Sequence, residues 1–126
     1  MALSFPAHAQ QPKKIARIGY LSVLSSASDA ARLEAFRQGL RELGYVEGQN
    51  LAIEPRYAEG KLDRLPDLVG ELVRLNVDVI VAGGSTAIRA AKNATKLIPI
   101  VMAHGSDPVA LGYVASLARL AETLRG

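Results

Sequence analysis

Val77–Ala82 (VDVIVA) is a β-branched apolar run, interrupted only by Asp78, that ends in Gly83-Gly84-Ser85-Thr86. A strand with one wet face would alternate, so this run suits a central parallel strand buried on both faces. Working outward, Ile15–Val23 (IARIGYLSV) is a second short apolar run, set between Lys13-Lys14 and the polar loop Leu24–Ser28 (LSSAS), and it reads as a buried strand. Leu33, Phe36, Leu40 and Leu43 then recur at helical spacing. Ser28 or Asp29 is the expected N-cap of that helix, and Gly44 the residue just past its end. Leu51–Tyr57 (LAIEPRY) alternates; Pro55 cannot donate to a ladder, which places this strand at a sheet edge or a bulge.

Asp63 is the expected cap of a second helix whose inward face is Leu65, Leu68, Val69, Leu72 and Leu75, with Pro66 tolerated in its first turn. A short helix after Thr86 turns Ala87, Ile88 and Ala91 inward and ends near Thr95. Leu97–Ala103 (LIPIVMA) reads as a fourth strand. Beyond it, Asp107 is well placed to cap a last helix, with Pro108 at its first position, that carries Val109, Leu111, Val114, Leu117 and Ala118. Strands and helices alternate with short links, which predicts a parallel sheet with helices on both faces. The fold class is therefore α/β: a Rossmann-like, three-layer α/β/α sandwich.

Composition removes several function classes. The formal charge is +3, but Lys13 and Lys14 stand in an acid-free start, so the rest of the chain is nearly balanced. Without a basic stripe interleaved with aromatics, nucleic acid is not an expected partner. No apolar run is long enough to span a membrane. The chain has no cysteine, and His8 and His104 are too few and too far apart for a metal site, so neither metal nor other cofactor is expected.

Open parallel sheets bind ligands outside the carboxyl ends of their strands. Three loops leave such ends here: Ser22–Ser28, Gly83–Thr86 and His104–Pro108. Each precedes a helix N-terminus, where free N–H groups and the helix dipole favour an anion. The candidate ligand-binding residues are therefore Ser22, Ser25, Ser26, Ser85, Thr86, Ser106 and Asp107, although helix capping alone would also account for each of them. Gly83-Gly84-Ser85 lacks the lysine of a phosphate-binding loop and the spacing of a dinucleotide fingerprint. No G-x-S-x-G elbow occurs. His104, Ser106 and Asp107 share one tight loop, a poor geometry for a nucleophile triad, and Asp29 is the only other candidate base in these loops. No catalytic residue is assigned.

Four segments together resemble one bacterial family: ARIGYLS, then AFRQGLRELGYVEGQNLAIEPRYAEG, then LPDLVGELVRLNVDVIVAGGSTAIRAAKNAT, then IPIVMAHGSDPV with ASLAR behind it. The family is the ABC-transporter substrate-binding proteins of the tryptophan/tyrosine type. The resemblance covers residues 15–119 and rests most on LGYVEGQNL and on IPIV with DPV. It implies the N-terminal lobe of a periplasmic-binding fold. The implied protein is a non-enzymatic, extracytoplasmic receptor that holds an amino acid or similar carboxylate and delivers it to an ABC permease. The site loops it implies carry Ser22–Ser26, Ser85-Thr86 and Ser106-Asp107.

Residues 1–14 read as the remnant of an export signal, because Ala7-His8-Ala9 before Gln10 fits a signal-peptidase site. Residues 120–126 read as an out-of-frame tail. The family continues after ASLAR with Pro-Gly-Gly-Asn-Val-Thr-Gly, and one back-translation of Arg119–Gly126, read one base on, spells that heptapeptide. The expectation is a truncated single lobe with impaired binding and self-association through an exposed sheet edge. Two other classes fit the fold: a stand-alone Rossmann- or flavodoxin-like enzyme domain, and the effector-sensing lobe of a sugar-repressor-type regulator. The first lacks a convincing phosphate loop, and the second lacks room in residues 1–14 for a DNA-binding helix pair.

Overall fold

The computed structural model describes residues 15–102 and 108–125. Four parallel strands, β1 (Ala16–Ser22), β2 (Leu51–Tyr57), β3 (Val79–Ala82) and β4 (Ile100–Met102), form one sheet in the order β2-β1-β3-β4. The helices are α1 (Ser26–Glu42), α2 (Leu65–Arg74), α3 (Ser85–Ala94) and α4 (Pro108–Arg125). Successive residues of β1 feed opposite layers. Ile18 and Tyr20 pack with Leu33, Phe36 and Leu40 of α1 and Leu111, Val114 and Ala118 of α4. Leu21 packs with Leu68, Val69 and Leu72 of α2 and with Ala87 and Ala91 of α3. The sheet is thus covered on both faces, and Ile80 and Val81 of β3 are each almost fully buried, as their apolar run predicts.

β2 spans Leu51–Tyr57, as the alternation predicts, and Pro55 sits on an edge strand. Other expectations need correction. α1 begins at Ser26 with Ser25 as N-cap, so neither Ser28 nor Asp29 caps it; Ser25 Oγ accepts the Ser28 N–H at 3.1 Å. Asp63 does not cap α2. It lies in a 3-10 turn (Leu62–Arg64) that runs into α2, and no side chain caps that helix. β3 starts at Val79 because the Asp78 carboxylate accepts the Arg17 N–H at 2.8 Å just before the ladder begins. β4 starts at Ile100 because Thr95 Oγ1 accepts the N–H groups of Leu97 and Ile98, and Pro99 has none to give. Leu43 is exposed although it shares the apolar spacing of α1.

The connections reverse direction at β1. The chain steps from β1 to β2 on one side, then crosses to β3 on the other. The carboxyl ends of β1 and β3 therefore flank the switch point of the sheet, where adjacent loops diverge and leave a crevice.

Candidate functional site

That crevice is a hollow of about 200 Å³ lined by Tyr20 to Leu24, Asp29, Arg32, Gly83 and Gly84. The loop after β1 is held by the turn after β2: Ala58, Glu59 and Gly60 donate their N–H groups to the carbonyls of Ser22, Leu24 and Val23. Ser22 is buried, and its Oγ accepts the Leu24 N–H at 3.1 Å. On the other side, Gly84 is the N-cap of α3 with φ +94°, a left-handed conformation that favours glycine. Its missing side chain leaves the first N–H groups of α3 without a side-chain cap. Two helix N-termini thus border one small crevice, an arrangement that attracts an anion.

The structure divides the candidate residues. Ser22 lines the hollow. Ser25 and Ser26 directly follow its wall at Leu24; Ser25 Oγ is engaged with Ser28, and Ser26 is exposed on the first turn of α1. Ser85, exposed, directly follows Gly84. Thr86 faces elsewhere: it lines a separate hollow of about 300 Å³ with Leu62, Leu65, Pro66 and Arg89, between α2 and α3. Ser106 and Asp107 lie outside the described residues. Pro108, the first residue of α4, lines a third hollow with Gln38, Gly39, Glu42 and Leu43, at the opposite end of α1 from Ser25.

Two residues escaped the sequence reading as binding candidates. Asp29 is only 2% exposed, and its Oδ2 has no hydrogen-bond partner among the described residues. Tyr20 is buried against Phe36, ring centroids 5.5 Å apart. Burial pushes its phenol pKa well above the usual range, and the hydrogen bond to Asp29 and the charge of Asp29 push it further. Tyr57, at the end of β2, is raised by burial and then by the same charge. The signal was present in the sequence. Asp29 stands one helical turn before Leu33 on the stripe that continues through Phe36 and Leu40, so an acid occupies an apolar face.

Residues 17–126 match the family described as ABC transporter substrate binding protein. The chain belongs to this family. It is 32% identical over 105 residues to a tyrosine-binding protein of Clostridioides difficile, covering 83% of this chain and 30% of that relative. Among solved structures, a conserved domain protein of Vibrio cholerae aligns at TM-score 0.66 and 29% identity, covering 79% of this chain and 33% of the other. The ligand-free, open form of a Clostridium difficile substrate-binding protein with adhesive properties aligns at 0.64 and 28% identity, over 78% of this chain and 33% of the other. A Streptococcus pneumoniae ABC domain in complex with L-Trp aligns at 0.63 and 28%, with the same shares covered. The chain thus spans about a third of the length of these relatives. The family is one of substrate-binding proteins rather than enzymes. Among the described residues, no helix is long and apolar enough to cross a membrane, and no group of side chains could hold a metal ion.

Proposed function

We propose that this substrate-binding protein supplies one lobe of an extracytoplasmic receptor that binds an amino acid at the β1–β3 crevice and delivers it to an ABC permease. The observation that carries this reading is the placement of the α1 and α3 N-termini on either side of a hollow at the sheet's switch point. An amino-acid carboxylate fits donors of that kind. The tyrosine-binding relative and the neighbour holding L-Trp support an aromatic amino acid as the ligand class.

A two-lobed receptor closes about a hinge and shares its contacts between lobes. One lobe offers an open shelf. A micromolar site carries about 8 kcal/mol, and a site with half the contacts keeps about 4 kcal/mol, a millimolar affinity. Calorimetry on this 126-residue chain at micromolar concentration is therefore expected to show no binding heat. Amide NMR with millimolar L-tryptophan is expected to shift residues 22–26 and 83–86. Micromolar affinity would refute the half-site reading, and unmoved amides in those two loops would refute the site itself. The edge strand β4 also supports self-association of the chain.

A further inference from the structure

A buried carboxylate oxygen without a partner is rare, because burying a charge is costly unless it is paired. Asp29 is such a case: it is 98% buried, lines the crevice, and among the described residues leaves Oδ2 unpartnered. Tyr20, which lines the same hollow, hydrogen-bonds this carboxylate. Arg32 borders the same hollow one helical turn on, but it is exposed. The crevice therefore combines two opposite demands within about 200 Å³. The helix N-termini attract a negative group, while Asp29 attracts a positive one and repels a second carboxylate. A zwitterion meets both demands, and a plain carboxylate meets only one.

We propose that Asp29 Oδ2 accepts a hydrogen bond from the α-ammonium of the ligand, so that the site selects amino acids over the corresponding carboxylates without an amino group. The inference rests on the amino-acid reading above and names the residue that decides specificity within it. A hydrogen bond to a charged group corresponds to about a 10-fold gain in affinity or more.

The test is an amide NMR titration of the full chain with three probes: L-tryptophan, indole-3-propionate, which lacks the amino group, and tryptamine, which lacks the carboxylate. L-Tryptophan is expected to bind about 10-fold more tightly than indole-3-propionate or better. In Asp29→Asn that ratio should fall to about one, mainly through weaker tryptophan binding. Equal affinities in the unmodified chain, with shifts still in residues 22–26 and 83–86, would overturn the role of Asp29 and leave a carboxylate site standing. A preference that survives Asp29→Asn would overturn it as well. No shift with any probe would remove the amino-acid site and this inference with it. Should Asp29→Asn lose its dispersed spectrum, the ratio measured on the unmodified chain decides alone.

Discussion

Gly19 and Leu72 meet across the interface between β1 and α2: a Cβ built on Gly19 would lie 2.9 Å from Leu72 Cδ1. The bare glycine lets α2 settle onto the middle of the sheet, beside the strand whose end forms the crevice. Gly19→Val is expected to destabilise the chain by about 1–3 kcal/mol through overpacking, despite valine's preference for strands. Leu72→Ala should cost about 2–5 kcal/mol through the cavity it leaves. The double variant Gly19→Val/Leu72→Ala should be more stable than the sum of the two costs predicts, because the valine occupies space the leucine vacated. Urea denaturation of the four proteins checks all three statements.

Stability should fall above about pH 10, where an unfolded tyrosine ionises. The folded pKa of Tyr20 is raised, by burial first and then by Asp29, so the folded chain keeps its proton while the unfolded chain loses it. The unfolded state then binds fewer protons, and stability declines with rising pH. The contribution is fully present below the unfolded pKa and disappears as pH climbs toward the folded one. Tyr57, raised by burial and by Asp29, acts in the same direction. Urea midpoints between pH 8 and 11.5 should decline, and Tyr20→Phe should flatten part of that decline. A slope unchanged by Tyr20→Phe would contradict the assignment.

Ser25→Ala removes the oxygen that accepts the Ser28 N–H and should cost about 1 kcal/mol. Ser25→Gly should cost only a few tenths, because glycine is itself a fair N-cap. Thermal unfolding of the two variants separates capping from any role in binding. If Ser25 also touches ligand, both variants weaken L-tryptophan binding equally while their stabilities differ.

The outer strand β4 exposes Met102 while Val101 faces the core. Unpaired strand edges invite pairing with another chain, and lysine on an edge suppresses it. The chain is expected to elute larger than a monomer in size-exclusion chromatography as its concentration rises, and Met102→Lys should return it toward monomer. A monomer at every concentration would remove the self-association proposal.

Much of the fold was legible because short, largely apolar or alternating strands and 3.6-period helices leave unlike patterns. VDVIVA marked a strand with both faces covered, and Pro55 marked an edge, since each reading depends on the residue's own chemistry. Boundaries were less legible. Asp78 marks the start of β3 by a hydrogen bond to a residue on a distant strand, and Thr95 and Ser25 set ends through local N–H groups that other nearby polar residues could equally have held. The candidate site was half legible. The loops after β1 and β3 followed from strand order, but Thr86 turned into the α2–α3 groove, and Asp29 read as a cap.

The chain's own pattern determined an alternating α/β protein, its parallel sheet, the edge position of β2 and the two loops that border the crevice. These follow from local periodicity and from the rule that connected parallel strands need crossovers. Only the tertiary structure decided that Asp29 is buried with one oxygen unpartnered among the described residues and that Gly19 admits Leu72. Those facts depend on which distant side chains share a given volume, and a carboxylate's neighbours across a fold leave no periodic trace along the chain.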